Sequence, residues 1–116
     1  NVLIAFLNGD QAVRSHLDRR FQEHRDLIIS AISVAEVLAW EQHTDETLQQ
    51  SKQFLKQFFV LPVDDLIAIE AARIRRLHRL SLTDALIAAT ALERDVPLMT
   101  NDRDFQRVRE LQLIIP

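Results

Sequence analysis

A chain of 116 residues with 47% hydrophobic side chains has room for one domain with a core of its own. Its net charge of −3 excludes a global pull on nucleic acid, so any such contact needs a local basic patch. It has no cysteine, which excludes disulfides and thiolate metal sites and fits a reducing compartment such as the cytoplasm; no apolar run approaches a membrane span.

Val2 to Leu7 is apolar and stops at Asn8-Gly9-Asp10, a turn that holds the only glycine; it is a short helix or the tail of a strand. From Gln11 to His24 the apolar positions Val13, Leu17 and Phe21 recur every four residues, one stripe of an amphipathic helix. Leu27-Ile28-Ile29 suits a buried strand, and Val34 to Trp40 a buried helix. Thr44 or Asp45 caps the next helix, with an inner face of Leu48, Leu55, Phe58 and Phe59. Val60 to Val63 is a short strand that places Pro62 at its edge or end. Asp64 or Asp65 opens a helix to about Leu80, with Ile67, Ala71, Ile74 and Leu77 inward and Arg73, Arg75, Arg76 and Arg79 outward.

Ser81 to Ala91 is apolar nearly all round and therefore belongs inside the domain, with one carboxylate, Asp84, in its first turn. Asp95 and Pro97 end it. Leu98 to Thr100 is a strand, Asp102 to Gln106 a helical turn, and Leu113 to Ile115 a last strand. Short strands alternating with helices predict an α/β fold over 1–116, a mainly parallel sheet covered on both faces. In such sheets the ligand site lies beyond the carboxyl ends of the strands. Glu36 and Asp102 each follow a strand and Asp84 opens the helix before one, so these three acids are the candidate site.

Carboxylates without His or Cys partners suit a hard cation such as Mg²⁺ or Mn²⁺, which can activate water against a phosphodiester. The bland alternatives are specific. Ser33-Val34-Ala35-Glu36 and Ser81-Leu82-Thr83-Asp84 both fit a capping box, and Asp102 fits a helix N-cap. The arginines either bind phosphate or form a solvated face paired with acids such as Glu70. His16, His24, His43 and His78 show no ligand spacing and are expected on the surface, while Trp40 and Phe58-Phe59 are expected in the core or at a dimer contact.

Four stretches in order resemble the PIN domain family, in particular its VapC-type ribonuclease toxins. They are Asn1-Val2-Leu3-Ile4, Ile29 to Leu38, Leu82 to Ala91, and Leu98-Met99-Thr100-Asn101-Asp102-Arg103-Asp104-Phe105. The resemblance implies a three-layer α/β/α sandwich, Mg²⁺ or Mn²⁺, and hydrolysis of RNA. It implies Glu36, Asp84 and Asp102 as catalytic, metal-holding acids, with Asp104 as a substitute for Asp102 and Asn1 and Thr100 as supporting polar groups. Arg73, Arg76 and Arg79 become candidate RNA contacts. The implied partners are an antitoxin protein and a second copy of the chain, with no membrane. Family members open Asp-Thr/Ser-Asn-Val-Leu-Ile, and this chain opens at the Asn of that phrase. The expectation is that the first acid and its strand lie just upstream, and that 1–116 alone binds metal weakly and cleaves RNA little. The alternative function is a non-catalytic module for protein association; a DNA nuclease or a ribosomal-RNA processing factor of the same fold is a third.

Overall fold

Helix starts in this protein are written into the sequence as short oxygen-bearing side chains, and most of the elements can be read from them. The computed structural model describes residues 2–23 and 27–116, so Asn1 and His24 lie outside the described residues. It falls into two compact units, Val2–Leu61 and Pro62–Pro116.

In the first unit, α1 (Val2–Leu7) ends at Gly9, whose φ of 89° is a left-handed conformation that glycine adopts without steric cost. The Asp10 carboxylate then accepts from the Val13 N–H and starts α2 (Gln11–Gln22), which buries Val13 and Leu17. Strand β1 (Ile28–Ser30) runs straight into α3 (Ala31–Leu38), with the buried Ser30 hydroxyl accepting from Ile32 N–H as the cap. Thr44 caps α4 (Asp45–Leu55), and β2 (Phe59–Leu61) returns parallel to β1 in the register Ile28 to Phe59, Ile29 to Val60 and Ser30 to Leu61. The core is aromatic: Phe6 stacks on Phe54 at 4.8 Å, and Phe54 and Phe21 meet Phe58 edge-on.

In the second unit, the Asp64 carboxylate caps α5 (Asp65–His78). Its buried stripe of Ile67, Ala71 and Ile74 packs on α6 (Leu82–Glu93), whose Ala85, Ala88, Ala89 and Ala91 are small enough for two backbones to come close. Strand β3 (Leu98–Met99) pairs parallel with β4 (Leu113–Ile114), and a 3-10 turn at Arg103–Arg107 drops Phe105 into the same core.

The α/β class and the parallel pairing are as expected. The described strands form two separate parallel pairs rather than one continuous sheet. Several inward assignments change. Leu77 is 63% exposed, because the stripe through Ile67, Ala71 and Ile74 continues at His78, one residue or about 100° further round the helix. Leu80, beyond the helix end, is buried instead. Phe58 fills the core, but the next residue opens a strand and Phe59 turns outward at 67% exposure. Trp40 is not in the core: α3 stops before it, and it lies half exposed, edge-on to His43. His43 and His78 are not free surface groups. His43 bonds Thr47 Oγ1 and the Val37 carbonyl at 2.9 Å each, and Nε2 of the half-buried His78 lies 4.0 Å from the Glu110 carboxylate. No described helix is long and apolar enough to cross a membrane.

Candidate active site

Asp84 is the third residue of α6. The Ser81 hydroxyl accepts its N–H at 3.1 Å, so half of a capping box is formed. The returning bond, from the Asp84 carboxylate to the Ser81 N–H, is not made. Among the described residues the half-buried carboxylate has no hydrogen bond or ion pair at all. Capping therefore uses the backbone N–H of Asp84 and not its carboxylate.

Asp102 lies three residues beyond the end of β3, as the N-cap of the 3-10 turn. Its N–H donates to Oγ1 of the buried Thr100 at 3.0 Å, which fixes the backbone where the strand ends. One carboxylate oxygen accepts from the Asp104 N–H at 2.9 Å and caps the 3-10 turn; the other has no partner among the described residues. The N-cap reading is correct, and it occupies only half of the carboxylate. Thr100 Oγ1 thus holds the backbone N–H of Asp102. Asp104 is committed elsewhere, in a 3.1 Å ion pair with Arg107.

Glu36 is no cap. Ser30, not Ser33, starts α3, which places Ser33 inside the helix and the half-buried Glu36 in its middle. The local pattern that suggested a box matches one turn too late. Glu36 belongs to the first unit, Asp84 and Asp102 to the second.

The arginines of α5 divide. Arg73 donates to both Glu70 oxygens, at 2.6 Å for the closest contact, and to Glu110 at 3.0 Å. The bonds to Glu70 and then Glu110 raise the guanidinium's pKa, and the Arg73 bond holds Glu70 below its usual range against the opposing effect of burial. Arg73 is thus paired, as the bland reading had it. Arg76 and Arg79 have no carboxylate partner among the described residues. Arg75, part of the outward arginine face but not among the three RNA contacts drawn from the resemblance, lines a cleft with Arg79, Leu80 and Ser81. Its signal was its place four residues before Arg79, on one helix face.

All-oxygen donors suit Mg²⁺ or Mn²⁺. Among the described residues no three His, Asp or Glu form a metal cage. Mg²⁺ does not need one, since it keeps several waters and takes one or two carboxylates beside a substrate phosphate. The donors present fit that habit, with Asp84 the least committed of them.

The chain belongs to the PIN domain family, whose model matches residues 1–111. A chain of a toxin–antitoxin complex from Klebsiella pneumoniae superposes with a TM-score of 0.81 at 24% identity, covering 99% of this chain and 92% of that one. A chain of VapBC2 from Rickettsia felis, bound to a fragment of promoter DNA, gives 0.81 at 21% identity, with 98% and 92% covered. A chain of FitAcB from Neisseria gonorrhoeae gives 0.76 at 25% identity, with 97% and 92% covered. The likeness to VapC-type toxins read in the sequence thus extends to the fold. No curated protein matches the chain in sequence.

Proposed function

We propose that the chain is a Mg²⁺- or Mn²⁺-dependent endoribonuclease, the toxin of a type II toxin–antitoxin pair, acting on RNA in the cytoplasm. The observation that carries this is the Asp84 carboxylate, half-buried and without a partner among the described residues in a PIN domain. Asp84 and Asp102 are the proposed oxygen donors to the metal, and Glu36 is assigned to it on the resemblance alone. Asp104 is a weaker candidate because Arg107 already holds it. Thr100 keeps Asp102 in place, and Asn1 is assigned a supporting role on the resemblance alone. When bound, the ion activates a water and neutralises charge building up on the phosphodiester. The likeness to chains of toxin–antitoxin complexes supports a cognate antitoxin as partner, and the family resemblance a homodimer.

The test is cleavage of single-stranded RNA by the full-length natural protein with and without Mg²⁺. Asp84→Asn is expected to lower the rate by at least about 100-fold with the protein still folded, since losing a metal ligand costs no less than losing its outer support. Undiminished cleavage by that variant would reject the role of Asp84. A second reading, a PIN module for protein association only, is favoured by the absence of a three-acid cage among the described residues. Titration with Mn²⁺ separates the two, because an association module shows no saturable site.

A further inference from the structure

The basic groups at the end of α5 are not equivalent. Arg73 is neutralised by Glu70 and Glu110, and Arg107 by Asp104. Arg75 and Arg79 have no carboxylate partner among the described residues, and both line an open cleft of about 390 Å³ where α5 turns into α6. No acid lines that cleft; its other walls are Leu80 and Ser81. A concave surface with two uncompensated guanidinium groups offers planar N–H forks to an oxyanion such as phosphate.

Both arginines are anchored. Arg75 Nη1 donates to the Leu80 carbonyl at 3.3 Å, which holds the guanidinium at the cleft wall and leaves its other N–H groups free to donate. Arg79 has φ 57° and ψ 36°, a left-handed helix end that glycine occupies more readily than arginine. Its N–H donates to the Arg75 carbonyl at 3.1 Å, and its own carbonyl accepts from Arg107 Nη1 at 3.2 Å. Ser81, on the cleft edge, accepts the Asp84 N–H, so the cleft lies one helical turn from that acid.

We infer that this cleft grips the phosphate backbone of the RNA strand, with Arg75 and Arg79 as the contacts. Naming RNA rests on the ribonuclease reading above; the affinity for an oxyanion does not. The experiment is binding of a fluorescent single-stranded RNA oligonucleotide to the full-length protein in EDTA, over a range of salt. Binding without metal is independent of cleavage. The variant Arg75→Gln/Arg79→Gln is expected to bind at least about 10-fold more weakly, and its plot of log affinity against log salt to flatten by about 1.4, at roughly 0.7 per phosphate contact on a single strand. Lys52→Gln/Lys56→Gln, the same loss of charge on α4 and the residue after it, is expected to leave the slope unchanged.

Arg79→Gly guards against a folding artefact. It relieves the left-handed backbone, so its melting temperature is expected to hold or rise while RNA binding weakens. Equal binding by the arginine variants and the wild type overturns the inference, and so does an equal loss in the lysine control. If the cleft instead takes an acidic protein segment, RNA binding is unaffected and the inference is equally overturned. Wild-type protein that cleaves RNA, with arginine variants that bind it unchanged, removes the cleft and leaves the ribonuclease reading standing. Wild-type protein that binds no RNA removes both.

Discussion

Helices α4 and α6 open with the same device and use it differently. At α4 the exchange is complete: Thr44 Oγ1 accepts from the Thr47 N–H at 3.1 Å, and Thr47 Oγ1 accepts from the Thr44 N–H at 2.9 Å. At α6 only the first bond exists, from the Asp84 N–H to Ser81, and the third-residue carboxylate makes no return. A carboxylate is a good acceptor for that return bond, yet the bond is made in the helix that has a threonine and not in the helix that has the acid, which is the basis for proposing Asp84 as a metal ligand. Helix α4 is capped for stability. Helix α6 is capped with its charge kept apart.

The largest expected effect breaks the two helix starts apart by activity. Asp84→Asn is expected to lower RNA cleavage by at least about 100-fold, yet to leave the melting temperature unchanged because the carboxylate supports no bond in the fold. A fall in melting temperature comparable with loss of a cap would show that the acid caps after all. Next in size are the caps. Thr44→Ala and Ser81→Ala are each expected to cost about 1 kcal/mol in urea unfolding. At the third residue the two helices should part: Thr47→Ala destabilises, since its hydroxyl also holds His43, and Asp84→Ala does not.

Asp102 gives a finer separation, since its two oxygens differ in what they do. Asp102→Asn keeps an N-cap acceptor and is expected to stay within about 0.5 kcal/mol of wild type, whereas Asp102→Ala is expected to lose about 1 kcal/mol. Both are expected to impair cleavage, because both remove the charge. Loss of activity in the alanine variant alone would assign Asp102 to structure. The smallest effect is at Glu70, whose pKa Arg73 holds below the usual range. A carboxylate depressed in the folded state stabilises above its unfolded pKa, and that contribution disappears as pH falls through the folded value. Glu70→Gln should therefore melt slightly below wild type at neutral pH, and the gap should close in acid. A gap that widens in acid would contradict the assignment.

Much of this was legible in the sequence. Asp10, Thr44, Asp64, Ser81 and Asp102 are all small acceptors placed before apolar periodicity, and each is a cap. The short apolar runs at Ile28, Val60, Leu98 and Leu113 are strands, since they are too short and too apolar to be surface helices. What failed did so for local reasons. Leu77 and His78 differ by one step round a helix, and the apolar residue is the one facing out. Ser33-x-x-Glu36 matches a box as well as any other stretch, but β1 runs to Ser30, so the helix begins three residues earlier than the pattern suggests. Among the arginines, nothing in the order of residues says which meets Glu110, 37 positions from Arg73. That contact removes Arg73 from the set able to take a phosphate and leaves Arg75, Arg76 and Arg79 in it.

The most direct measurement is calorimetric titration of Mn²⁺ into the full-length protein and its Asp84→Asn variant, each checked for an unchanged melting temperature. The expected result is a saturable site in the wild type, weakened at least about 10-fold in the variant. Identical isotherms for the two proteins would contradict the assignment of the Asp84 carboxylate to a metal.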